Sequence, residues 1–218
     1  MKFAKSIFNF ALINSLLFTT FINSALGDDG NPVPPKYTGV FIENISYDGS
    51  GCMEGTVGSV ISNDHRNMSV MFDSFGLFGD GQVYGKKNAS CNVQITVDVP
   101  PEYAVALSRV ELAGFIFAPK GSGASVSSQY FMSGQKSKAE LNHSWFNEED
   151  DWLTEAFRFP QTFSEEELIF SECGGNAVID IKTTIKRYSE QNVMLGSILV
   201  SSMDNTLAIE YEWRECSM

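Results

Sequence analysis

Cys91-Asn-Val-Gln-Ile-Thr-Val-Asp-Val99 alternates apolar and polar residues without a fault. Cys91, Val93, Ile95, Val97 and Val99 fall on one side, and Asn92, Gln94, Thr96 and Asp98 on the other. Side chains of an extended chain point to opposite faces in turn, so a period of two marks a half-buried β-strand. Pro100-Pro101 stops the strand, since proline has no N–H for a neighbouring strand. The same period returns where Ala177, Ile179, Ile181, Thr183 and Ile185 oppose Asp180, Lys182, Thr184 and Lys186. It returns again where Leu207, Ile209, Tyr211 and Trp213 oppose Glu210, Glu212 and Arg214, and Met68, Val70 and Phe72 mark a further strand. The stretch 110–118 is apolar at both parities, with Leu112, Phe115, Ile116 and Phe117, and reads as a central strand covered on both faces.

Weaker strand signals lie at 37–45, 56–61, 125–132, 139–146, 154–159, 167–170 and 196–201, separated by Gly, Asn, Asp, Ser and Pro. Residues 148–157 open with four acids, as a helix start does, but read better as an acidic loop leading into a strand. About ten short strands without a convincing helix predict an all-β chain folded as an antiparallel β-sandwich. No internal repeat interrupts it.

The start of the chain reads as an export signal. Lys2 and Lys5 precede an apolar stretch over 7–22, and Ala25 and Gly27 are the small residues that a signal peptidase needs before its cut. The expected organisation is a signal peptide at 1–27, a flexible polar and proline-rich lead-in at 28–36, and a single β-sandwich domain at 37–218. The expected localisation is secreted, extracellular or periplasmic according to the source. Nothing later is long and apolar enough to span a bilayer, so no membrane span is expected in the mature chain. Cleavage removes two lysines and no acid, taking the net charge from −12 to −14. Such a charge repels the phosphates of nucleic acid and anionic membrane surfaces.

Cys52, Cys91, Cys173 and Cys216 are an even set in an exported chain, which points to two disulfides. Four cysteines allow three pairings. Our expectation is Cys52–Cys91 with Cys173–Cys216, each closing a loop of about 40 residues and contributing ~4 kcal/mol in the chain-entropy model.

The residues around these cysteines resemble a secreted family of bacteria and fungi known as domain of unknown function 4360. Gly49-Ser-Gly-Cys-Met-Glu-Gly-Thr-Val57 is similar to the family's Gly-Ser-Gly-Cys-Pro-x-Gly-x-Val, with Met53 in place of proline. Phe72-Asp-Ser-Phe75, the strand around Cys91 and Tyr130-Phe-Met-Ser-Gly-Gln135 resemble further family segments. So do Glu172-Cys-Gly-Gly175 and Glu212-Trp-Arg-Glu-Cys216. The resemblance runs from about residue 42 to 216; it implies export and a cysteine framework, and no activity.

Chemistry is harder to find. His65 and His143 are the two histidines, and each reads as a surface residue rather than a catalytic or zinc-binding one. There is no nucleophile elbow, zinc-binding His-Glu-x-x-His or phosphate loop. Glu148-Glu-Asp-Asp151 and Glu165-Glu-Glu167 lack a spacing that wraps an ion. No catalytic, cofactor-binding or metal residue is therefore assigned, and no cofactor is expected. Asn44, Asn67, Asn88 and Asn142 head glycosylation sequons, which matter if the source is eukaryotic. Phe115, Phe117, Trp145, Phe146 and Trp152 are candidates for a sugar-stacking platform, weighed against ordinary core packing. The expected function is a non-catalytic binding or surface-interaction module whose partner is an extracellular protein or glycan and not a nucleic acid. The alternatives are a carbohydrate-active enzyme using paired carboxylates and a structural envelope-associated protein.

Overall fold

A computed structural model describes residues 41–62, 67–78, 87–132, 139–190, 196–200 and 207–216. The expected signal peptide, the lead-in and His65 lie outside them. Among the described residues there are strands and no helix. They are β1 (Phe41–Asp48), β2 (Val57–Ile61), β3 (Asn67–Phe72), β4 (Gly76–Leu77), β5 (Asn88–Val99) and β6 (Tyr103–Ala118). The others are β7 (Ser122–Met132), β8 (Ala139–Phe146), β9 (Leu153–Thr162), β10 (Gly175–Ser189), β11 (Ser197–Leu199) and β12 (Leu207–Glu215).

Sheet A runs β1-β5-β10-β7-β8, and sheet B runs β2-β3-β12-β6-β11-β4, with β9 on the other edge of β6. Every pairing is antiparallel. The chain is a disulfide-linked antiparallel β-sandwich. β5 and β10 form the middle of sheet A in a long unbroken register, Gly175↔Val99 through Lys186↔Asn88. Their inward positions, Val93, Ile95, Val97, Ile179, Ile181 and Ile185, are buried against Val110, Leu112, Ile116, Ile198 and Ile209 of sheet B. Each such aliphatic side chain stabilises the fold by ~1.5–3 kcal/mol relative to exposure. Ser128 and Thr183, buried in the same layer, hydrogen-bond each other at 2.9 Å, which answers the cost of burying two hydroxyls.

Two expectations need correction. The stretch 110–118 is central in its sheet, flanked by β9 on one edge and by β12 and then β11 on the other. It is not covered on both faces: Phe115 and Phe117 remain 38% and 37% exposed. Residues 167–170 are not a strand. Glu167 accepts from the Ser164 N–H and hydroxyl in a turn, and Ser171 exchanges backbone and side-chain bonds with Val105 at the edge of β6. Local side-chain bonding of this kind draws the backbone away from a ladder. The two-residue β4 was too short for its own periodicity to show.

Cys52 is bonded to Cys91 and Cys173 to Cys216, with Cα separations of 5.4 and 6.2 Å. The first pair is buried, below the loop that leaves β1. The second joins the approach to β10 in sheet A to the end of β12 in sheet B, and its Cys173 is exposed.

Candidate functional site

Along β6 the positions facing away from the core are Arg109, Glu111, Ala113, Phe115 and Phe117. In-register partners of a sheet share a face, so these residues define rows across the outside of sheet B. Ala156, Phe115, Leu199 and Gly76 make one row, and Thr154, Phe117 and Ser197 the next. Phe78 and Leu199 lie over Gly76, where a Cβ would meet both side chains. The result is an apolar strip, Phe78, half-buried Leu199, Phe115 and Phe117, running from the end of β4 across β11 to β6.

Trp152 extends the strip. Its ring stacks on Phe117, with centroids 4.4 Å apart and planes 10° from parallel, and it stays 49% exposed. A two-ring stack leaves each ring one face that the other does not cover. Asn147 places this tryptophan. Although only 4% exposed, it donates to the carbonyls of Ala118 and Asp151 at 3.0 and 2.7 Å and accepts from the Glu149 N–H at 3.0 Å. Its backbone pairs with Gly121 and Ser122. The acidic loop 147–151 is thus wound around a buried amide, and the chain leaves it at Trp152. Beneath the other end of the strip, buried Arg187 of β10 bonds the carbonyls of Phe78 and Gly196, fixing the flanks of β4 and β11.

Next to the strip on the same face lies an ionic chain. Arg109 bridges Glu111 at 3.0 Å and Glu210 at 2.6 Å, and the second oxygen of Glu111 is held by Arg158 at 2.5 Å. Bonding to Glu210 raises Arg109 further above its ordinary value. Glu111 is nearly buried, so its position is fixed from both sides. Sheet B therefore offers flat rings beside a row of charged hydrogen-bonding groups.

The outer face of sheet A differs in kind. Ser90, Asn92, Gln94, Thr96, Ser125, Ser127, Asn142, Ser144, Lys182, Thr184 and Lys186 point outward from it, some of them forming a shallow polar concavity. Its aromatic pair, Phe146 and Tyr188, has structural work to do. Tyr188 lies over Gly123 and donates to the Trp145 carbonyl at 2.6 Å.

The structure therefore divides the five aromatics singled out in the sequence. Phe115, Phe117 and Trp152 come together outside sheet B. Phe146 belongs to the other outer face. Trp145 is buried between the sheets against Phe157 and Phe159, and its indole N–H has no partner. His143 packs on Trp145 and Phe159. Asn44, Asn67, Asn88 and Asn142 are all exposed. Among the described residues no three metal-binding side chains gather, and no helix is long and apolar enough to cross a membrane. A cavity of about 40 Å³ lies between Leu107, Tyr130, Met132, Phe163 and Ile169, room for little more than a water or two. Sequence reasoning missed Phe78, Leu199 and the ionic chain. The signal was present: Arg109 and Glu111 stand two apart in an otherwise apolar strand, and so share a face with Phe115 and Phe117.

A model of the family described as Domain of unknown function (DUF4360) matches residues 38–216. An uncharacterized secreted protein of Arthroderma benhamiae is 23% identical over 194 residues, which is 87% of this chain and 77% of that one. Among solved structures, TmCBM61 in complex with β-1,4-galactotriose aligns over 80% of this chain and 90% of its own, at 13% identity and a TM-score of 0.28. The enzymatically active domain of bacteriophage CBA120 tailspike protein 4 aligns over 79% of this chain and 20% of its own, at 11% identity and a TM-score of 0.24. Superpositions this loose carry nothing about the site.

Proposed function

Since this chain belongs to the Domain of unknown function (DUF4360) family and is a secreted protein, we propose that it is a non-catalytic binding module, released after removal of residues 1–27, whose contact surface is the outer face of sheet B. The observation that carries the reading is the exposed Phe115, Phe117 and Trp152 cluster, which the core does not use. The partner we propose is a neutral extracellular glycan. A pyranose has an apolar C–H face that lies on an aromatic ring, whose own face is electron-rich. It also has a rim of hydroxyls, for which Ser197, paired with Phe117, and Arg158, paired with Ala113, stand nearest the rings. Removal of two lysines with residues 1–27 takes the net charge from −12 to −14, which disfavours a polyanionic glycan and leaves a neutral one unopposed. Contiguous exposed apolar patches rimmed by polar residues mark interaction sites, whereas singly scattered apolar residues do not.

The enzymatic alternative would need two carboxyl groups poised on either side of a glycosidic bond. Glu111 and Glu210, which flank Arg109, are both already tied to guanidinium groups. The test is co-sedimentation of the full mature chain with insoluble neutral polysaccharides, with reducing ends assayed in the supernatant. Retention without release of sugar is expected. Retention with steady release would replace the module by an enzyme, and retention by none of the polysaccharides would remove the glycan reading.

A further inference from the structure

The binding face leaves the sequons unexplained. In a strand, residues two apart point the same way, so an Asn-x-Ser sequon puts its amide and its hydroxyl on one face. Asn44 pairs with Thr96, outward on β5, and Ser46 pairs with Gln94. Asn88 pairs with Lys186 and Ser90 with Thr184 on β10. Asn142 pairs with Ser127 and Ser144 with Ser125 on β7. All three asparagines are exposed, and all three face outward from sheet A. Asn67 alone lies on the other sheet, paired with Glu210.

The three are also well separated. Asn88 and Asn142 stand three strands and two residues apart, about 16 Å, and the partner of Asn44 on β5 is eight residues from Asn88, about 27 Å. Asn142 lines the shallow concavity floored by Ser125, Ser127, Ser144, Thr184 and Lys186. Hydroxyls and an ammonium there are suitable partners for the first sugar of an attached chain.

We infer that the outer face of sheet A is the glycosylated face of this protein, N-linked at Asn44, Asn88 and Asn142, and that the concavity is the seat of its own glycan rather than a ligand site. The donor is an oligosaccharide carried on a lipid diphosphate. The amide Nδ2 bonds to the anomeric carbon, the bond from that carbon to the diphosphate oxygen breaks, the lipid diphosphate leaves, and one amide proton is lost to a base. Glycans on this face leave the aromatic strip of sheet B open.

The test is the mass of the protein recovered from the medium of its own source, before and after peptide-N-glycosidase in heavy-oxygen water, with the resulting Asn→Asp sites mapped. Release of glycan from at least two of Asn44, Asn88 and Asn142 is expected, and Ser144→Ala should abolish the Asn142 glycan while leaving the others. Release from none or one of the three, or modification confined to Asn67, would overturn the inference.

Discussion

The two outer faces of the sandwich are built from the same kind of strand and carry opposite chemistry. Sheet A shows serine, threonine, asparagine and lysine to solvent, and its Phe146–Tyr188 pair is pinned by the tyrosine hydroxyl over a glycine. Sheet B shows Phe115, Phe117 and Trp152, which cover no glycine and fill no core, beside charges locked in a chain. An exposed aromatic therefore has to be judged by what it rests on. Tyr188 is explained by its own fold; Phe115, Phe117 and Trp152 are not, and the partner proposed above is what would explain them.

The largest effect is expected where the structure holds the tryptophan. Asn147→Ala strips partners from the Ala118 and Asp151 carbonyls and the Glu149 N–H in a buried spot. It should cost ~2–4 kcal/mol, read as a fall in the urea midpoint. Trp152 emission should shift towards that of free tryptophan. A midpoint within experimental scatter of the parent would show that the acidic loop holds its shape by other means.

Glu111→Ala leaves two guanidinium groups without their shared carboxylate. Because Arg109 and Arg158 are partly solvated, water takes over much of that role, and the expected loss is ~1–2 kcal/mol. High salt should weaken the parent towards the variant. A loss that is unaffected by salt would assign the effect to packing.

The faces themselves are compared by Tyr188→Ala and Phe117→Ala. The first removes a hydrogen bond to the Trp145 carbonyl and uncovers Gly123, for ~1–2 kcal/mol. The second removes one ring stack, for ~0.5–1.5 kcal/mol. If Phe117→Ala proves clearly the more damaging to stability, the strip is a structural element and the contrast between the faces fails.

Tyr211 lies on the inner side of sheet B and serves as a control outside both faces. Its hydroxyl is buried without a partner, and burial pushes it well above its ordinary value. The folded chain keeps a proton that the unfolded chain releases from about pH 10, so stability should fall as the pH rises past that point. Tyr211→Phe should be within ~1 kcal/mol of the parent at neutral pH and lose less than the parent in alkali.

Period two carried most of the fold in the sequence. Residues 91–99 and 177–187 alternate because one side faces the partner sheet and the other faces water. The strip defeated the same logic. At 110–118 both parities are apolar, and a chain alone does not show whether a second apolar side meets a second layer or solvent. The five aromatics were visible as a group, but their division among the core and two faces depends on register, which sequence does not carry. Asn147 was illegible for a related reason: its bonds go to residues 29 positions back and 4 ahead, and neither spacing is a motif.

The most direct measurement is the apparent Kd for the best-retained neutral polysaccharide, compared between two variants of matched stability. Phe117→Ser with Trp152→Ser alters sheet B; Ser127→Ala with Thr184→Ala alters sheet A. The account predicts at least about a tenfold weakening for the first, equivalent to ~1.4 kcal/mol, and a change of less than about twofold for the second. Equal weakening by both, or weakening by the sheet A variant alone, would contradict it.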